Sequence, residues 1–485
     1  MPVSTGFRPS TAHSLLGDVF FDVVAAARFP AHILRFRNQA WAARVGLDGL
    51  SDEEWIAHFG RFEPLEGSFP QPLALRYHGH QFRHYNPDLG DGRGFLFAQL
   101  HDLKDGRLLD LGTKGSGTTP WSRGGDGRLT LKGGVREVLA TAMLEAQGVY
   151  TSKTFSLIET GEDLVRGDEP SPTRSAVMVR LNHSHIRIGS FQRLSQLGDG
   201  DGIQRLMDHS IRNYMPDIWV EELAARTSAF LGRVARNVAA MGAGWMAAGF
   251  VHGVLNTDNI NVTGESFDYG PWRWLATHNP DFTAAYFDHG GLYAYGRQPE
   301  ALLWNLSRLG GCLLELADKA ALEAALAPFW GQLQADFASA VVRRLGLQSR
   351  GTDADAALGR VLFAFMGDSQ APFEQVFFDW FTGLASASRA AAGPNAAFYA
   401  SAAFTPVRAA LADYEPAVGA SLAHPYFQAP SPCTLLIEEV EALWAPIAAQ
   451  DDWSGLDAKL AHIAQMADAY GTTPQPVTHP NGDAA

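Results

Sequence analysis

Three features of the 485-residue sequence predict an α+β fold built as two lobes. Short β-like runs bounded by turn residues crowd the region from about 71 to 202. One strongly periodic helical segment interrupts them. Beyond about 203 the texture is helical almost to the end.

Residues 1–70 read as an N-terminal helical extension, with apolar clusters such as "VFFDVVAAA" and a Pro/Gly-marked exit at "EPLEGSFPQP". Residues 71–202 read as a β-rich lobe. In it "GFLFAQL" and "RLLDLGT" flank "HDLKDG", whose Asp105-Gly106 signals a hairpin. "FSLIET" and "SAVMVRL" are two further strands. Between these pairs lies "GGVREVLATAMLEAQG", where Val135, Val138, Leu139 and Ala142 fall at helical spacing and Gly148 marks the stop. Residues 203–318 read as a helical catalytic lobe. Residues 319–485 read as a C-terminal helical region with a frayed tail from "GTTPQPVTHPNGDAA". A β-rich lobe with one key helix, then a helical lobe, is the order of a protein-kinase-like bilobal fold.

Composition narrows the function. Hydrophobic content of 46% with 19% charged residues is globular. A formal charge of −14 argues against a general nucleic-acid or anionic-membrane binder, while leaving room for a local basic pocket. Cys312 and Cys433, the two cysteines, are too few for a disulfide scaffold and suit a reducing compartment. The first residues lack a basic start followed by an apolar run and cleavage site. The most apolar span, 227–253, is interrupted by Arg233, Arg236 and Asn237, so it reads as a buried amphipathic helix. A cytoplasmic protein is the expectation.

The chemistry concentrates in "VHGVLNTDNINVTGESFDYGP", Val251–Pro271. Kinases carry H-R-D-x-x-x-x-N followed by D-F-G. His252 and Asn259 keep that interval, and Asp268-Tyr269-Gly270 stands for D-F-G. Val254 occupies the position of the catalytic Asp and can accept no proton. Asn259 and Asp268 are hard oxygen donors suited to Mg²⁺, with Mn²⁺ as a substitute; the alternative is two polar loop residues making turns. Lys114 ends a strand and Glu137 lies on the next helix, the order in which kinases aim an ammonium at phosphates. "LGDGRGF" and "RGGDGRL" could bring backbone N–H groups to phosphate, yet neither matches a kinase glycine loop or a P-loop. Arg180 and Arg187 bracket His183 and His185. Guanidinium forks fit phosphate better than an H-x-H pair on a strand fits a metal, with structural Arg–carboxylate pairs as the other reading.

Several stretches together resemble the selenoprotein O (YdiU) family of protein adenylyltransferases. They are "GHQF", "LGDGR", "KGSGTTPWSRGGDGR", "VRE", "SHIRIG", "HGVLNTDNINVTGESFDYGP" and "YFDHGGLYAYGRQPEALLWNL", in the family's order from about 70 to 310. The resemblance implies a kinase-like fold in which ATP lies reversed, so that its α-phosphorus faces the acceptor. It implies transfer of AMP to Ser, Thr or Tyr hydroxyls of acceptor proteins with release of pyrophosphate. By motif position, Lys114 contacts phosphate, Glu137 orients it, and Arg180 and Arg187 hold phosphates. Gly90, Gly92, Arg93, Asp126 and Gly127 contribute to the nucleotide pocket. Asn259 and Asp268 hold the metal, and Asp258 accepts the proton. Two departures stand out: "HQFRHYNPD" brings bulky, charged Arg83 and His84 next to the motif, and no cysteine follows Cys433 where many relatives carry a redox-active one. The last third matches the family pattern poorly. A γ-phosphotransferase and a non-catalytic nucleotide-binding scaffold are the competing functions.

Overall fold

The computed structural model describes residues 6–167 and 169–472. Its main sheet is antiparallel throughout. The strands are β1 (Pro9–Ser10), β2 (Phe21–Val23), β3 (Ile33–Arg37) and β4 (Leu73–Leu75), with β5 (Gly79–Gln81) and β6 (His84–Asn86) forming a separate hairpin. They continue with β7 (Leu96–His101), β8 (Leu108–Lys114), β9 (Leu129–Thr130), β10 (Lys153–Leu164) and β11 (Thr173–Asn182). The order across the sheet is β2-β4-β7-β8-β11-β10-β3, with β1 beside β7 and β9 beside β11.

Residues 1–70 depart from the expected helical extension. Among the described residues they hold two short α-helices, α1 (Gln39–Arg44) and α2 (Asp52–Phe59), and supply three strands to the sheet. The apolar cluster around Phe21 gains its ladder from Leu73–Leu75, and Ile33–Arg37 gains its own from β10. Such pairing over long sequence separation overrides local helix preference.

"SAVMVRL" alternates as a strand buried on both faces must. Ala176 and Met178 face a core built with Val135, Val138 and Leu139 of α3 (Leu131–Ala146). Val177 and Val179 face a second core with Trp41, Trp55 and Phe59 of α1 and α2. Thr130 caps α3 by accepting from the Gly133 N–H at 3.1 Å.

After β11 come α4 (Ile188–Gln196), α5 (Gly200–Tyr214) and α6 (Leu223–Ala248). α6 is capped by Glu222, which accepts from two backbone N–H groups, and ends at left-handed Gly249. Its buried face, including Phe230, Val234 and Val238, joins the same core as α3. Among the described residues no helix is long and apolar enough to cross a membrane. The two-residue strands β12 (Phe250–Val251) and β13 (Arg273–Trp274) pair, closing the 252–272 segment into a loop beneath the sheet. α7 (Gln298–Cys312) and further helices to Ser454–Ala469 complete the described elements. Cys312 and Cys433 are free and buried, and burial pushes both thiols up to about 12.

Candidate active site

The site is a cavity of about 660 Å³ between the sheet and the 252–272 loop. Lys114, the last residue of β8, pairs in register with Met178, while Arg180 of β11 pairs with Gly112. Two residues apart on one pleat, Lys114 and Arg180 therefore project from the same face. Both reach Asp268: Lys114 Nζ donates to Oδ1 at 3.0 Å and Arg180 at 3.2 Å. Lys114 is also held by the Glu137 carboxylate of α3, which lies behind the cavity wall and is fully buried. The predicted strand Lys and helix Glu thus meet, together with the loop Asp.

Arg187 caps the start of α4, and its neighbours are stitched to the loop. Ile188 N–H donates to the Ile260 carbonyl at 3.0 Å, and Val262 N–H to that of Ile186 at 3.0 Å. The Arg187 guanidinium donates to the Asp258 carbonyl at 3.0 Å and lies over the Tyr77 ring at 4.2 Å. His252 is structural: its Nε2 sits 3.1 Å from the Phe267 carbonyl, tying the two halves of the loop together.

The glycine segments interlock at the other wall. Thr119 Oγ1 donates to the Asp91 carbonyl and Ser122 Oγ to that of Gly92, each at 2.5 Å. A Cβ on Gly90 would stand 2.4 Å from the Trp121 ring, and one on Gly92 2.8 Å from the Trp121 carbonyl. Gly127 adopts φ +69, where a Cβ would collide with the Gly117 carbonyl. Arg93 and Asp126 line the opening and are exposed. Asp126 is tied to Arg166 at 2.8 Å.

All the predicted pocket residues, Gly90, Gly92, Arg93, Lys114, Asp126, Gly127, Arg180, Arg187, Asp258, Asn259 and Asp268, line this one cavity. The wall also carries residues that sequence reasoning did not single out: Tyr77, Asp91, Trp121, Arg123 and Arg166. Asp91 and Arg123 sit inside or beside the quoted glycine segments, which was their available signal. Arg166 comes from the β10–β11 connection and had none. Seven cationic side chains line the cavity (Arg93, Lys114, Arg123, Arg128, Arg166, Arg180, Arg187) against four carboxylates (Asp91, Asp126, Asp258, Asp268). A chain of net charge −14 has gathered a basic pocket, the polarity a polyphosphate needs.

The two loop aspartates titrate in opposite directions. Burial favours the neutral form of each. At Asp268 the surrounding Lys114, Arg180 and Arg187 outweigh it and hold the carboxyl well below the usual range. At Asp258 burial dominates, Arg187 offsets only part of it, and the group is pushed up to about 6. Asp258 Oδ1 has no hydrogen-bond partner. Asp268 adopts φ 62, a left-handed conformation that Asp tolerates better than most residues.

Asn259 Nδ2 donates to the Val254 carbonyl at 3.0 Å, leaving the amide oxygen to a cation. With the Asp268 carboxylate it makes a pair of hard oxygen donors, a set that fits Mg²⁺ with phosphate and water completing the shell. The H-x-H pair lies past the end of β11 and its members diverge. His183 Nδ1 meets Tyr150 at 2.6 Å, and His185 N–H donates to Asp110 at 2.8 Å. Among the described residues no group of three or more His, Cys, Asp or Glu side chains could hold a metal.

The chain is similar to known proteins over most of its length. A family model described as protein adenylyltransferase SelO matches residues 5–464. A protein of Trichormus variabilis named protein nucleotidyltransferase YdiU is 50% identical over 366 residues, 75% of this chain and 74% of the relative. A protein of the same name from Gloeobacter violaceus is 45% identical over 455 residues, covering 91% and 92%. The likeness thus extends well past the 70–310 span and into the last third, against the poor match that its sequence pattern suggests there.

Proposed function

We propose that this chain, which belongs to the SelO family of protein adenylyltransferases, transfers AMP from ATP to Ser, Thr or Tyr hydroxyls of acceptor proteins. The observation that carries the reading is the pair of loop positions on the cavity wall. Val254, the kinase base position, has no proton acceptor, while Asp258 is buried beside the metal-type ligand Asn259 with an unpartnered oxygen. The useful carboxylate has moved four residues along the loop.

In this reading Lys114, Arg180 and Arg187 bind the phosphates, and Glu137 fixes the lysine. Arg93, Asp126 and the closely packed Gly90, Gly92 and Gly127 shape the remaining nucleotide surface. Asn259 and Asp268 would hold Mg²⁺, which would neutralise charge developing on the phosphates. The acceptor oxygen attacks the α-phosphorus. Its bond to phosphorus forms as the bond to the β-phosphate oxygen breaks, pyrophosphate leaves with the electron pair, and the hydroxyl proton passes to Asp258. Phosphoryl-type transfers need little beyond positioning and charge stabilisation, which a prearranged basic pocket supplies. A kinase-like fold with ATP reversed accommodates this assignment. The protein would work in the cytoplasm, on ATP and proteins rather than nucleic acid or membrane.

The deciding experiment incubates the protein with a protein acceptor and ATP labelled at the α or the γ phosphorus. Label retained from the α position alone is the expected result. Label from the γ position alone makes the protein a kinase, and nucleotide binding without transfer makes it a scaffold.

A further inference from the structure

The β5–β6 hairpin stands apart from the main sheet and is strained at its tip. Gly79 pairs with Asn86, His80 with Tyr85 and Gln81 with His84, leaving Phe82-Arg83 as a two-residue turn. Both adopt left-handed backbone, φ 49 and 65. Such a turn ordinarily uses Asn-Gly, and non-glycine residues held there mark places where the surroundings over-determine the backbone.

Those surroundings are the reacting loop. Phe82 N–H donates to Asn256 Oδ1 at 3.0 Å, and Tyr293 OH donates to the same oxygen at 2.8 Å. His80 N–H donates to Thr257 Oγ1 at 2.7 Å. A Cβ on Gly79 would stand 2.9 Å from Asp258 Oδ1. The hairpin therefore rests on the two residues preceding Asp258 and on Asp258 itself.

Its outer side is open. The Phe82 ring meets Tyr293 at 4.9 Å and Phe287 at 5.7 Å, and Phe287 meets Tyr286 at 5.1 Å. Tyr286 is 83% exposed and Phe287 43%, an adjacent pair of exposed aromatics beside the site. Arg83 extends over Trp304 at 5.6 Å and reaches Glu300 only at 3.5 Å, both partners well exposed. An exposed pair of that length is weak and readily exchanged for another carboxylate.

We propose that Phe82, Arg83, Tyr286 and Phe287 form the acceptor-selecting ledge of the transfer site. It takes a protein segment that presents an acidic side chain and an apolar or aromatic one beside the reacting hydroxyl. The inference rests on the transfer reading above, since it is the hydroxyl's approach to Asp258 that brings the segment across the hairpin. The carboxylate replaces Glu300 on Arg83, and the apolar side chain covers Tyr286 and Phe287.

The test uses the full chain, α-labelled ATP, and soluble cell protein divided by ion exchange into acidic and basic pools. Initial labelling rates are measured against pool concentration, and affinity for a fluorescent ATP analogue with Mg²⁺ is measured separately. The wild type labels the acidic pool preferentially. Arg83→Glu reverses that preference by about tenfold, as a charge reversal at an interface rim does. Tyr286→Ser with Phe287→Ser lowers labelling of both pools, and all variants keep nucleotide affinity within about twofold because none of these residues lines the nucleotide cavity. An unaltered preference in Arg83→Glu overturns the ledge, as does equal labelling of both pools by the wild type. Loss of nucleotide affinity in the variants overturns it too, since the residues would then support the pocket. Absence of α-label in any pool with the wild type defeats the transfer reading itself.

Discussion

Asp258 and Asp268 are ten residues apart on one loop, yet their surroundings push their carboxyls in opposite directions. Asp268 is held ionised by Lys114, Arg180 and Arg187, the state that the proposed role of metal ligand requires. Asp258 is desolvated and pushed up to about 6, close to where a proton acceptor is useful. A base must be ionised to act, so transfer should hold above about pH 6 and fall as pH drops through that value; a flat rate from pH 7 to 5 would remove Asp258 from the role. Asp258→Asn should lower kcat by about 100- to 10,000-fold, the usual span for losing a general base, with nucleotide affinity preserved. Asp268→Ala should abolish metal-dependent nucleotide binding as well as transfer, measured by titrating a fluorescent ATP analogue with and without Mg²⁺. Full activity in that variant would eliminate the metal assignment. Val254 shows how far the loop residues alone reach: it excludes the kinase base, the family resemblance points to Asp258, and burial with an unpartnered oxygen supplies the physical reason.

At the scale of elements, α3 is the clearest example of local sequence fixing structure. Its apolar positions, the Thr130 cap and the Gly148 stop lie in one short stretch, and the helix forms where the period predicts. Thr130→Ala should cost about 1 kcal/mol of stability, the normal value of an N-cap, read from the shift in the denaturation midpoint. Because α3 carries Glu137, the same variant should weaken nucleotide binding slightly. The β7–β8 hairpin was equally legible, since its Asp105-Gly106 turn and flanking apolar runs are adjacent in sequence. β2 and β3 were not. Each is a few residues long and is stabilised by partners 50 to more than 100 positions away, Leu73–Leu75 and Ser156–Glu159. Pairing of that range leaves no periodic trace in a three- to five-residue run.

Across the whole molecule, the helices are tied together by joints that no motif records. Arg344 and Glu374 form a buried ion pair at 2.6 Å, with Gln147 donating to Glu374 at 3.0 Å and Arg344 donating to the Ala247 carbonyl at 2.5 Å. These contacts join the end of α3, the end of α6 and the helices Phe329–Arg344 and Phe373–Asp379. Glu374→Ala should destabilise the protein by about 3–5 kcal/mol, because it strands a buried guanidinium. A thermal or denaturant unfolding curve indistinguishable from wild type would contradict that. By itself the sequence determined the α+β texture, the residue types gathered in the loop and the family. Those are local properties, written in spacing and residue type. Only the tertiary structure decided that Lys114, Glu137, Arg180 and Asp268 meet in a single cluster, and that the N-terminal residues enter the sheet. It also decided that Phe82-Arg83 is a strained turn resting on the loop of Asp258. Each is a contact between distant segments, set by burial and pairing partners that a linear chain does not reveal.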